Sequence, residues 1–152
     1  MLIDGYELDD RLVMEIGKFT ILWNCFERDY CHNDCNPNVI NSIAPTILID
    51  QEKQQELAIA FKERRGLFNQ ITREYVESGL NPENSKGSKD IDKEYMVEFI
   101  EQNGEHQTAG CLLAINRIRN NLVHGLKLIT ELNGQFRLFQ AVNAVLESMS
   151  RK

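Results

Sequence analysis

The segment NRIRNNLVHG, residues 116–125, gathers two arginines, three asparagines and a histidine at the end of an apolar run. These are residue types that act on phosphate esters. Histidine takes and gives protons near neutral pH. Arginine keeps its charge and grips phosphate oxygens in a planar fork. Asparagine orients a partner through a neutral amide. Together they suit cleavage of an RNA phosphodiester. His124 would activate the 2′-hydroxyl or protonate the leaving oxygen. Arg119 would stabilise the charge that grows on the phosphorane-like transition state. Asn120 joins them as the third site residue. Arg117, Lys127 and Arg137 are candidates for a basic rim, and Arg64 for a further substrate contact. This chemistry needs no metal and no cofactor, and none is expected.

Spacing limits how these groups can meet. On a continuous helix, residues five apart differ by about 140° in direction and about 7.5 Å in height. Arg119 and His124 would then diverge, whereas Asn120 and His124, four apart, would share a face. Two arrangements bring the arginine and histidine together. The helix can stop near Leu122 or Val123, with Gly125 as a left-handed stop, so that His124 leaves the regular screw. Alternatively, Arg119 of one copy meets His124 of another across a two-fold axis.

The elements that must position this segment read as helices. In residues 9–30 the apolar or aromatic positions Leu12, Ile16, Phe19, Trp23, Phe26 and Tyr30 recur every three to four residues. Asp9 or Asp10 can cap that helix, and CHNDCNPN ends it. VINSIAPTILI is ambiguous, with Pro45 as a breaker. A second helix should start after Asp50, with Leu57, Phe61, Arg64, Phe68, Ile71 and Tyr75 on one face and Gly79 as its stop. LNPENSKGSKD reads as a loop. A shorter helix follows over IDKEYMVEFIEQNG, ending at Gly104. Next comes the helix QTAGCLLAINRIRNNL, with Leu112, Ile115 and Leu122 inward. HGLKLITELNGQF reads as a loop rather than a hairpin, since a lone hairpin would have no sheet to join. The last helix covers QFRLFQAVNAVLESMS, with Phe139, Val142, Leu146 and Met149 on one face.

The expected fold is therefore all-α: an antiparallel bundle of four to five helices, with residues 1–152 as one domain. With 42% hydrophobic and 26% charged residues, the chain can build a core. A net charge of −6 argues against indiscriminate nucleic-acid binding but leaves room for a local basic patch. The first residues carry no secretion signal and no apolar run is long enough to span a membrane. The expected location is the cytoplasm, with the four cysteines reduced.

RNNLVHG, residues 119–125, resembles the R-x4-6-H motif of the HEPN superfamily, including an asparagine directly after the arginine. The surroundings are similar too: the motif closes a helix, a short loop follows, and an amphipathic helix comes last. LWNCFERDY in the first helix resembles the HEPN first helix, where an aromatic stretch precedes a polar residue, here Glu27. The resemblance covers residues 109–150, and more loosely 9–77. It implies a HEPN-like bundle that dimerises through its motif helices. It further implies a metal-independent endoribonuclease of toxin–antitoxin or antiviral defence systems, with RNA as substrate and an antitoxin as possible partner. Arg119 and His124 are then catalytic, with Asn120 the polar motif member. One departure stands out. Some HEPN toxins carry a tyrosine two residues after the histidine, a target for nucleotidylation, and here that position is Leu126.

Plainer readings stand beside these. RNNLVHG can be a polar helix end with a C-capping histidine, and HEPN-like chains can be inactive modules that bind a nucleotide or a partner protein. Cys31, His32 and Cys35, with Cys25 nearby, are zinc-type ligands. The cluster is single, however, so reduced cysteines around a helix end are expected. Lys62, Arg64 and Arg65 form either a solvated face or an RNA contact. Glu27 is expected to face solvent, with orientation of Arg119 or His124 as the alternative. Trp23 is expected in the core and His106 in an exposed loop.

Overall fold

The computed structural model of the chain describes residues 1–65, 90–123 and 132–152. Asp9 caps the first long helix, its carboxylate accepting the Arg11 amide at 2.9 Å. That helix, α1, spans Asp10–Tyr30 and buries Leu12, Phe19, Trp23 and Phe26. It ends at Cys31, where His32 and Asn33 take left-handed backbone.

A short helix follows that the ambiguous VINSIAPTILI stretch left open. In α2, Pro37–Ile43, the Asn36 side chain caps the Val39 amide and Pro37 occupies the first turn. Proline there gives up an amide that would have no helical partner and supplies the right φ. A 3-10 turn at Ala44–Thr46 leads into β1, Ile47–Leu48, and then α3, Gln51–Arg65. Helix α4 spans Asp90–Glu101, α5 Gln107–Val123 and α6 Phe136–Ser148. The Asn133-Gly134-Gln135 segment is a 3-10 turn into α6, not a hairpin.

The fold is mostly helical, as expected, with six α-helices among the described residues. Two small antiparallel ribbons add to it. Leu2–Ile3 pairs with Tyr6–Glu7, and β1 pairs with β2, Ser150–Arg151, in the register Ile47 to Arg151.

Helix α5 is the centre. Every residue from Ala109 to Ile118 is buried, polar Asn116 and Arg117 included. A helix buried all round belongs in the middle of a bundle. It packs most closely on α4, where Gly110 lets the helices touch: a methyl there would run into the Tyr95 carbonyl and the Phe99 side chain. Helix α6 lies between α1 and α3, and α2 leans on α5. Buried Asn143 of α6 ties the first seam by donating to the Glu15 carbonyl at 2.9 Å and the Glu15 carboxylate at 2.7 Å.

Candidate functional site

Helix α5 is half-exposed in its first turn, at Gln107 and Thr108, and again in its last turn. Arg119, Asn120, Asn121 and Leu122 are half-buried, directly after the fully buried stretch. The fixed point of the site is thus the end of the most enclosed helix among the described residues. A side chain there inherits the rigidity of the core.

The Arg119 guanidinium has two neighbours among the described residues. Its Nη1 donates to the Asn120 side-chain oxygen at 3.1 Å, and its Nη2 lies 3.9 Å from Glu27 Oε1. The second contact is too long for a hydrogen bond and acts through charge alone. Glu27 sits in the last turn of α1 and its side chain is 21% exposed. It therefore does not face solvent as expected but turns towards Arg119. The sequence carries this only as the alternative to a solvent-facing side chain, because helical phase gives a side chain's direction, not which helix stands opposite.

Glu27 also closes α1. Its carbonyl accepts the Cys31 amide at 3.2 Å and the Asn33 amide at 2.8 Å. The expectation of reduced thiols here is overturned: Cys31 and Cys35 are joined by a disulfide across a Cα separation of 5.2 Å. The left-handed turn at His32 and Asn33 brings Cys35 back onto the helix end, within the span a disulfide can bridge. A bonded pair of sulfurs offers no thiolate to zinc. No group of three or more metal-binding side chains occurs among the described residues. Cys25 and Cys111 are free, and burial pushes the Cys111 thiol well above its ordinary range.

Two members of the expected basic rim are described, and neither is a free surface cation. Arg117 is only 4% exposed, and its Nη2 donates to the Asn121 side chain at 3.2 Å. Two residues before Arg119 it points to a different side of α5, into the bundle. Arg137 is exposed but paired with Glu63 of α3. His124 and Lys127 lie outside the described residues, as does the side chain of Arg64. Of the candidate catalytic set, the structure brings Arg119 and Asn120 together and adds Glu27.

No family model, curated protein or solved structure matches the chain. The reading of the site therefore rests on its residues.

A second feature escaped the sequence. His106 is more than an exposed loop residue: its ring stacks on Tyr95 with centroids 4.1 Å apart, and its Nδ1 lies 3.2 Å from a Glu98 oxygen. It lines an open cavity of about 520 Å³ with Asn41, Tyr95, Thr108 and Lys152. The Tyr95–His106 stack depends on the register of the α4–α5 pair, which no local pattern announces. Trp23 is core, 1% exposed, as expected.

Proposed function

We propose that the chain is a metal-independent endoribonuclease of HEPN type, with Arg119 and His124 as its catalytic pair. The observation that carries this reading is the setting of Arg119. It is a part-exposed cation at the end of a rigid, buried helix, committed to one hydrogen bond with Asn120 among the described residues. Among the described residues, no other hydrogen bond takes up its remaining N–H donors, which suit phosphate oxygens.

In the proposed reaction the RNA 2′-hydroxyl attacks the adjacent phosphorus and gives up its proton to a base. The bond from phosphorus to the 5′-oxygen breaks, and that oxygen takes a proton. The products are a 2′,3′-cyclic phosphate and a 5′-hydroxyl. His124 serves as acid or base and Arg119 faces the charge on the phosphorane-like transition state. Asn120 holds one edge of the guanidinium. Glu27 steadies the other as a positioning residue.

The same reading includes a homodimer and a role in toxin–antitoxin or antiviral defence, with an antitoxin protein as possible partner. The body of α5 is buried within its own chain. A second copy would therefore meet this helix at its ends, and Arg119 stands at one of them.

A second reading is a non-catalytic HEPN-like helical module that binds a nucleotide or a partner protein. The Glu27 carboxylate favours it, because an anion 3.9 Å from Arg119 competes with phosphate. The deciding experiment incubates wild-type, Arg119→Ala and His124→Ala protein with total RNA in EDTA and maps the new ends. Cyclic-phosphate ends made by the wild type alone are expected. Cleavage retained by either variant would remove the mechanism, and no cleavage across a broad RNA panel would leave the module.

A further inference from the structure

Glu27 and the Cys31–Cys35 disulfide occupy adjoining turns of one chain segment. The Glu27 carbonyl terminates α1 by accepting the Cys31 and Asn33 amides, while its carboxylate faces Arg119. The disulfide closes a small ring over residues 31–35. Inside the ring His32 and Asn33 have φ of 51° and 67°. Two successive left-handed residues, neither of them glycine, are disfavoured unless their surroundings hold them. Here the surroundings are the disulfide, the Asn33 bond to Glu27 and the Asp34 amide on the Cys31 carbonyl at 3.0 Å. The two sulfurs differ in access. Cys31 is 2% exposed, whereas Cys35 is only half-buried.

We infer that Cys31 and Cys35 form a reversible thiol–disulfide switch that sets how firmly Glu27 holds Arg119. A low-molecular-weight thiolate attacks the approachable Cys35 sulfur. The Cys31–Cys35 bond breaks, and Cys31 leaves as a thiolate that takes up a proton. A second thiolate then attacks the external sulfur of the mixed disulfide. It releases the small disulfide and leaves Cys35 as a thiol after protonation. Two electrons and two protons pass to the protein, and two small thiols become one disulfide. Oxidation by a small disulfide runs the same steps backwards.

Once the ring is open, nothing covalent keeps His32 and Asn33 in left-handed backbone. The Asn33 bond to the Glu27 carbonyl lapses and the last turn of α1 frays. Glu27 then loses its fixed position beside Arg119. The oxidised form is the one with an ordered guanidinium. The effect on cleavage rests on the endoribonuclease reading, whereas the structural effect does not.

The test uses the full chain equilibrated in buffers of a reduced and oxidised dithiol at graded ratios. Free thiols are trapped by alkylation and counted by mass. One transition that adds two labels, at Cys31 and Cys35, is expected while the chain stays folded. Over the same transition the Cys31 and Asn33 amides should exchange about tenfold faster or more. The Arg119 side-chain N–H resonance should shift, and Glu27→Gln should remove that shift. A Cys31→Ser/Cys35→Ser variant should match the reduced form, and Cys25→Ser should leave the transition in place. The switch is overturned if no disulfide forms under the oxidising buffers, or if reduction unfolds the whole chain. It is also overturned if both forms share the same exchange rates and Arg119 resonance. RNA cleavage is read alongside, with the oxidised form expected to be faster. If neither form cleaves RNA while the resonance shifts, the nuclease reading fails and the switch stands.

Discussion

Helix α5 holds two regions of opposite character. From Ala109 to Ile118 it is enclosed on all sides, and its contacts are set by volume and close approach. From Arg119 to Leu122 it is half-exposed, and Arg119 and Asn121 there make polar contacts while Leu122 still packs against the core. The first region cannot change without cost to the fold. The second can change with little cost and is where chemistry can be placed. One helix thus lends a surface group the precision of the core.

Substitutions along α5 should separate these regions. Gly110→Ala should have the largest effect, because the added methyl meets the Tyr95 carbonyl rather than a pliable side chain. A loss of about 3 kcal/mol or more is expected, read from the denaturant midpoint. Ile115→Ala, at a fully buried site, should cost about 2–5 kcal/mol. RNA cleavage per folded molecule should survive the Ile115 change. A loss of activity out of proportion to unfolding would break the division between body and tip.

At the tip the order reverses. Arg119→Ala should lower stability by less than about 1 kcal/mol, yet reduce cleavage by roughly 100-fold or more. Equal melting temperatures with unequal cleavage rates would sharpen the comparison, and a large drop in melting temperature would blur it. Glu27→Gln keeps the shape but removes the charge, so cleavage should fall about tenfold through misplacement of the guanidinium. A rise in cleavage instead would mean that Glu27 competes with phosphate, in favour of the module reading.

The smallest effect belongs at the far end of α1. The side chain and amide of Arg11 hold the Asp9 carboxyl below its ordinary value of 3.8. A lowered folded-state value means that the stabilisation is present above the unfolded value and is lost as pH falls through the folded one. The capping contribution should therefore be intact at neutral pH and fade only below about pH 4. Asp9→Ala should lower the melting temperature slightly at pH 7, and by less as pH falls below the ordinary carboxylate range.

Much of the helical scaffold was legible because its signals are local. The three-to-four spacing from Leu12 to Phe26, the Asp9 cap and the start after Asp50 all rest on neighbours along the chain. Helix α2 was legible in principle from Asn36-Pro37, a cap followed by a first-turn proline, but its brevity and Pro45 hid it. The enclosure of α5 is not visible in the sequence. Arg117 and Asn116 look like surface residues until the Asn121 side chain and the packing of neighbouring helices are known. Glu27 beside Arg119 and His106 on Tyr95 are contacts between elements. The Cys31–Cys35 bond depends on a left-handed turn that side-chain-bearing residues seldom adopt. His124, the other half of the motif, lies outside the described residues.

The bonds that tie α1 to α6 have one more consequence. Asn143 reaches Glu15 across 128 positions, and Asn133 meets the Asp9 amide across 124. The α4–α5 pair needs only the short connection between Glu101 and Gln107. Loop closure over so different a span sets the order of events on the folding pathway. The α4–α5 hairpin should assemble early, with α1 zipping onto α6 as the late step. In the reverse direction that seam should be the first to part.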